Sequence, residues 1–220
     1  MSKTPLHLPD DLDLVEFISK EAHDLKSPFN RILGFTKMLL KGMSGPLTDM
    51  QKDDLTVVYE NSAQAMTAMS NLVDMARLSR GEKAFSVSET NLNNILAQTV
   101  AYWKQNKAVK DVELVTHFPE GETRIRADET LLRQGLLNWI LYVVEYTQPP
   151  AQVMLTLEPR EQDALVTVQS RGKRNPAAGE MFLTMSAYIG QTILKMHQGA
   201  ILTAEGDEEG AVIRLSLPKA

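Results

Sequence analysis

Between Leu12 and Lys41 the apolar residues Val15, Ile18, Ala22, Leu25, Phe29, Ile32 and Leu39 recur at spacings of three, four and seven, which predicts one long amphipathic helix. The stretch GMSGPLTD, from Gly42 to Asp49, ends it, with Gly42 near the helix terminus and Thr48 or Asp49 placed to cap the next helix. From Asp49 to Arg80 the rhythm resumes through Leu55, Val58, Ser62, Ala65, Met69, Leu72 and Ala76, and its small residues permit close approach. Two helices joined this way form a hairpin, and one hairpin cannot bury both stripes. Pairing two hairpins into an intermolecular four-helix bundle covers them, so the pattern predicts a homodimer.

Beyond Arg80-Gly81-Glu82-Lys83 the pattern changes to strands, DVELVTHF, QVMLTLEP, ALVTVQS and AVIRLSLP, alternating with helical patterns at Leu92 to Trp103, Leu131 to Tyr146 and Phe182 to His197. The predicted fold class is α+β. A helical hairpin over residues 1–82 precedes an α/β sandwich over 83–220, whose helices cover one face of a mixed sheet.

Composition narrows the chemistry. No apolar run approaches the roughly 20 residues of a membrane-spanning helix, and the start MSKTPLHLPDDLD lacks the layout of a signal peptide, so a cytoplasmic location is expected. The absence of cysteine excludes disulfides, thiol catalysis and thiolate metal sites, and the four scattered histidines suggest no metal centre. A formal charge of −5 without a Lys/Arg block argues against nucleic acid and for protein partners.

The first helix carries the string His23-Asp24-Leu25-Lys26-Ser27-Pro28. His23 follows the seam residue Ala22 and so turns about 100° away from the apolar stripe. Asp24 can fix the imidazole tautomer and leave the other ring nitrogen free to attack phosphorus. Pro28 costs roughly 3 kcal/mol inside a helix and removes the hydrogen bond to the Asp24 carbonyl, which points to a local bend beside the imidazole.

These residues resemble a known family: HDLKSPFNRILGF is similar to the H-box of the dimerisation and histidine-phosphotransfer domain of sensor histidine kinases. NLVDMARLSRGE resembles the end of that domain, and SETNLNNILAQTV, RADETLLRQGLLNWILYVVEYT and HQGAILTAEGDEEGAVIRLSLP resemble the framework of the kinases' ATP-binding domain. The likeness runs from Leu12 to Pro218. It implies His23 as phospho-acceptor, Asp24 as its acid/base partner and Ser27 as a hydroxyl that positions water for dephosphorylation, with exposed Asn30 and Arg31 contributing to docking. Lys26 reads as a solvated charge.

In the second domain the likeness keeps the apolar frame and loses the polar contacts. Tyr142 stands where the family has a magnesium-ligating asparagine, Glu145 where it has a basic residue facing the phosphates, and Ser170 where an aspartate recognises adenine. Gly172 is retained from the first glycine box, whereas Arg174 replaces its second glycine, and Ser186 and Tyr188 fall at positions of the second box. Mg²⁺ wants hard oxygen ligands, and a carboxylate repels polyphosphate. Gly179 and Gly190 read as a turn or close helix packing, His197 as a structural cap, and Trp103, Trp139 and Tyr146 as core.

The resemblance implies two-component signalling with phosphoryl transfer between His23 and an aspartate of a response-regulator receiver domain, ATP binding being lost. No cofactor is expected in this chain, since the receiver supplies Mg²⁺, and a separate sensor or kinase is a further partner. The competing readings are an active ATP-dependent histidine kinase core with a divergent nucleotide site and a dimerising scaffold without catalysis.

Overall fold

The computed structural model describes residues 13–106 and 111–220; the expected helix start at Leu12 lies outside them. The chain divides into two compact units, one ending at Arg80 and one beginning at Gly81.

The first unit is a hairpin of α1 (Leu14–Leu40) and α2 (Asp49–Ser79). Asp13 begins α1 by accepting the Val15 and Glu16 N–H groups at 3.1 and 3.0 Å, and it pairs with Arg80 just past the end of α2. The Glu16 N–H, helped by the Arg80 charge, holds the Asp13 carboxyl below its ordinary value despite some desolvation. Gly42 and Gly45 take positive φ, 73° and 111°, to reverse the chain. A capping box then starts α2: Thr48 Oγ1 accepts the Gln51 N–H at 3.3 Å while Gln51 Oε1 accepts the Thr48 N–H at 3.0 Å.

The predicted seam is only partly covered within this hairpin. Ala22 of α1 and Ser62, Met69 and Ala76 of α2 are buried, but Ile18, Leu25 and Ile32 of α1 and Val58 of α2 are exposed, as are their off-seam neighbours Phe17, Phe35 and Val57.

The second unit runs β1 (Ser88–Asn91), α3 (Leu92–Asn106), β2 (Val112–His117), β3 (Arg124–Ala127), α4 (Glu129–Tyr146), β4 (Ala151–Pro159), β5 (Asp163–Arg171), α5 (Glu180–Met196), β6 (Ala200–Asp207) and β7 (Gly210–Pro218). Five strands form a sheet in the order β2-β4-β5-β7-β6, in which β2 and β4 are parallel and the other neighbours antiparallel, while β1 and β3 pair separately. The three predicted helices and four predicted strands are present. Beyond them the structure has β1, β3 and β6. The first two are four residues long, too short for alternation to register, and β6 breaks its register between Ile201 and Thr203.

Alternation explains the core. Val153, Leu155 and Leu157 of β4 and Ile213, Leu215 and Leu217 of β7 are buried, and they join Leu132, Leu136, Ile140 and Val143 of α4 in one cluster. Close contact between α4 and α5 depends on two glycines. A Cβ on Gly135 would lie 2.9 Å from Ile193 Cγ2, and one on Gly190 would lie 2.7 Å from the Trp139 indole.

His197 ends α5 as the predicted cap, and it does more. Its buried ring places Nδ1 2.7 Å from the Ile193 carbonyl and Nε2 3.1 Å from the Asp128 N–H. A neutral imidazole with Nδ1–H donating and Nε2 accepting satisfies both partners. Asp128 in turn caps α4 through the Leu131 N–H at 3.0 Å and accepts the Ser86 N–H at 2.9 Å. Burial pushes the Asp128 carboxyl up, but these N–H groups together with that of Thr130 outweigh it, and the group rests below its ordinary value.

Gly190→Ala should lower the unfolding free energy of the second unit by about 1–3 kcal/mol, because the indole has no room to retreat without moving α4. Denaturant titration checks this. Gly34→Ala in α1, where an added Cβ meets nothing within 4 Å, is the control and should gain up to about 1 kcal/mol in the first unit.

Candidate functional site

Two sets of side chains carry the candidate chemistry, one in each unit. In the first, α1 runs as one continuous helix through Pro28, so His23, Asp24 and Ser27 sit on ordinary helical backbone. The His23 side chain is 80% exposed and that of Asp24 65% exposed, with Nδ1 and Oδ1 3.4 Å apart. That separation is a loose contact; in the tautomer that carries its proton on Nδ1, towards Asp24, Nε2 keeps its lone pair. Ser27, Asn30 and Arg31 are also exposed. Since Pro28 has no N–H, the Asp24 carbonyl has no donor four residues on.

In the second unit five of the positions that the resemblance assigns to nucleotide are bound up in the protein. Tyr142 is partly buried against the core, edge-on to Trp139 with ring centroids 6.1 Å apart and stacked on Tyr146 at 6.5 Å. Glu145 Oε1 accepts the Gly179 N–H at 2.9 Å. Ser170 is buried, its Oγ 2.6 Å from Thr147 Oγ1 and accepting the Ala211 N–H at 3.0 Å, and Thr147 Oγ1 reaches the Val143 carbonyl at 2.9 Å. Gly172 takes φ of 149° and sits so close to Thr147 that a Cβ would come within 2.9 Å of its methyl group. The Arg174 guanidinium lies over the Tyr146 ring, 5.7 Å from its centroid.

Ser186 falls elsewhere. Its assignment to a glycine box implied loop backbone, but it lies well inside α5, fully buried, and its hydroxyl has no partner among the described residues. Tyr188, placed by the same alignment, is on the exposed side of α5. The segment between β5 and α5 spans only residues 172–179, and α5 starts early enough to absorb the second box into helix.

Sequence reasoning missed Thr147 and Asn175. Asn175 Nδ2 donates to the Glu145 carbonyl at 3.1 Å and its N–H to the Tyr146 carbonyl at 2.8 Å. An Asn in a Gly/Pro-containing connection is a usable capping signal, but the helix it caps is distant in sequence.

Residues 13–81 match the His Kinase A (phospho-acceptor) domain. The first unit is thus a phospho-acceptor domain of the histidine kinase type. Among curated proteins the chain is 24% identical over 160 residues to the circadian input-output histidine kinase CikA of Synechococcus elongatus, a match covering 71% of this chain and 21% of that protein. It is 25% identical over 146 residues to the non-motile and phage-resistance protein of Caulobacter vibrioides, covering 66% of this chain and 17% of the relative. The matched stretch is thus about a fifth or less of these relatives.

Solved histidine kinases share the fold. The structure of full-length ShkA in complex with AMPPNP superposes with a TM-score of 0.63 at 21% identity, covering 93% of this chain and 46% of that one. Histidine kinase ThkA in complex with the response regulator protein TrrA gives a TM-score of 0.60 at 16% identity, covering 96% and 68%. Among the described residues, no helix is long and apolar enough to cross a membrane.

The Ser170 surroundings yield a prediction. Ser170→Asp, which returns the family's residue to that position, should destabilise the second unit by about 1–3 kcal/mol, because the larger carboxylate enters a buried hydroxyl pair beside Gly210. Thermal melting compared with Ser170→Ala measures it; an Asp variant as stable as wild type would mean the site has room for the family's side chain.

Proposed function

We propose that this chain exchanges a phosphoryl group between His23 and the aspartate of a response-regulator receiver domain, as a phosphorelay partner that does not use ATP. The observation that carries this reading is a contrast: in a phospho-acceptor domain the His23 imidazole is 80% exposed and free to react, whereas the nucleotide-type positions of the second unit contact one another or their own backbone. Asp24 would hold Nδ1 so that Nε2 attacks the phosphorus of the receiver's acyl phosphate. The N–P bond forms as the P–O bond to the aspartate breaks, and the carboxylate leaves; the reverse step returns the group. Ser27 would orient the water that hydrolyses phosphohistidine, and Asn30 and Arg31 would meet the receiver.

Mg·ATP is the group that the fold family implies for the second unit, and the residues present do not fit it. Tyr142 offers a phenol where a hard metal ligand is needed, and the carboxylate of Glu145 is already engaged at the head of α5. Ser170 spends its hydroxyl on Thr147 and Ala211. Metal ion for the transfer would come from the receiver, and the phosphoryl group from a separate kinase. The reading of an active ATP-dependent kinase rests on the likeness of the second unit to kinase catalytic domains, a likeness of fold.

Dimerisation is part of the same proposal. A second hairpin laid along the first would cover Ile18, Leu25, Ile32 and Val58, which one hairpin leaves exposed. Light scattering should report a dimer, and Ala65→Glu or Leu72→Glu should give a monomer by burying an unpaired charge in the bundle.

The deciding experiment incubates the protein with labelled ATP and, separately, with phosphorylated receivers. Acid-labile phosphate should appear only in the second case; His23→Ala should abolish it and Asp24→Asn should slow it. Label from ATP alone, or a micromolar Mg·ATP dissociation constant by calorimetry, would establish the kinase reading instead. Unchanged label on His23→Ala would refute the acceptor.

A further inference from the structure

The ends of α4 and α5 are tied together by an exchange of caps. The last carbonyls of an α-helix have no partners inside it. In α4, Val143 O accepts from the Thr147 hydroxyl at 2.9 Å and Val144 O from the Thr147 N–H at 3.3 Å. The two that remain, Glu145 O and Tyr146 O, are taken by Asn175 through Nδ2 at 3.1 Å and its N–H at 2.8 Å. Asn175 belongs to the connection between β5 and α5, so the end of α4 is completed by a residue that lies 29 positions beyond Tyr146.

The return contribution comes from α4. The N-cap of α5 is Gly179, which has no side chain to cap with, and the N3 residue is Phe182, which cannot bond back to the N-cap amide as Glu or Gln does in a capping box. Glu145 fills that role from the other helix by accepting the Gly179 N–H at 2.9 Å. A carboxylate in the last turn of α4 opposes that helix's own dipole, and the positive end of α5 offsets this. Around the exchange, Arg174 lies over Tyr146 and bridges Thr147, while the Gln148 N–H bonds the Lys173 carbonyl at 2.8 Å.

We propose that Glu145 and Asn175 form a reciprocal latch that holds the β5–α5 connection shut against α4, with the Glu145 carboxylate as the resident anion at the head of α5. The latch deepens the reading that ATP binding is lost, and rests on it: the connection closes on the protein's own acid, and its position does not depend on a nucleotide. Closing either half favours the other, because the same eight-residue segment, 172–179, must be in place for both.

Amide hydrogen exchange on the full chain, read at single residues, tests the coupling. Glu145→Ala removes the acceptor of the Gly179 N–H, and it should also speed exchange at the Asn175 amide, whose own bond to Tyr146 O the substitution leaves untouched. Asn175→Ala should conversely speed exchange at Gly179. Each effect should be about tenfold or more, the scale of losing one charge-assisted bond, and Glu145→Gln should restore part of the protection. The double variant should exchange little faster than either single variant. Two caps that act independently give the opposite pattern, with only the local amide affected and the double variant's losses multiplying; that outcome overturns the latch. A wild-type control with millimolar Mg·ATP separates the two readings. Altered exchange over 172–182 on adding nucleotide would refute the loss of ATP binding, whereas absent coupling between Glu145 and Asn175 would refute the latch alone.

Discussion

A helix buried around most of its circumference must have its end groups satisfied by the protein, and α4 imposes this constraint on the whole second unit. Nine of its residues, from Leu131 to Val144, are buried between the sheet and α5. Water cannot serve its terminal N–H and C=O groups freely, and an unpaired buried one costs about 1–3 kcal/mol. Asp128 accordingly caps the start, steadied by His197 from the end of α5, while Thr147 and Asn175 cap the finish. The positions that resemble a nucleotide site lie on or beside that finish. A side chain that closes a helix end is not available to grip a ligand, so structural satisfaction and nucleotide recognition compete for the same few groups.

The first unit is under the opposite demand. The role proposed for His23 needs an imidazole that stands clear of its own helix, and His23 does so because it falls one residue off the apolar stripe. Its stripe neighbours are where the chain invests its hydrophobic surface. Leaving Ile18, Leu25, Ile32 and Val58 exposed is unfavourable for an isolated hairpin, at about 25 cal/mol per Å² of apolar surface left in water, and becomes useful only when a second hairpin arrives. Exposure of the imidazole and exposure of the stripe thus follow from one helical periodicity read on two different faces.

Much of this was legible in the sequence, and what was not has identifiable causes. Periodicity located α1 and α2 to within a residue or two, and of the two residues expected to cap the second helix, Thr48 and Asp49, the structure uses Thr48. Gly190, read as a turn or close helix packing, proved to be close packing against Trp139 of α4, and His197 was rightly read as a cap, which depends on its own helix. The reach of His197 to Asp128 was invisible, because it joins residues 69 positions apart. Asn175 and Thr147 were missed for the same reason, their meaning being set by tertiary neighbours. Ser186 was misplaced because a resemblance in residue type was carried onto a segment whose backbone had become helical. The roles expected of His23, Asp24 and Ser27 rest on the motif, to which the fold adds their exposure and a loose imidazole-carboxylate contact.

The sign of residue 145 shows how little sequence change separates a ligand-dependent connection from a closed one. A basic side chain beside the head of α5 would face the positive end of a helix dipole, an arrangement worth up to about 2 kcal/mol against it unless a phosphate came between them. Such a site is completed by its ligand, and its connection should order when the ligand binds. With Glu145 the charges already match, and the Gly179 N–H is satisfied in the absence of any anion. An incoming polyphosphate would have to displace a carboxylate that is tethered, and therefore present at high effective concentration, while also meeting its charge. Restoring the metal ligand or the adenine contact alone would leave that displacement to be made, so on the proposed reading the acid at 145 weighs more against nucleotide than the substitutions at 142 and 170.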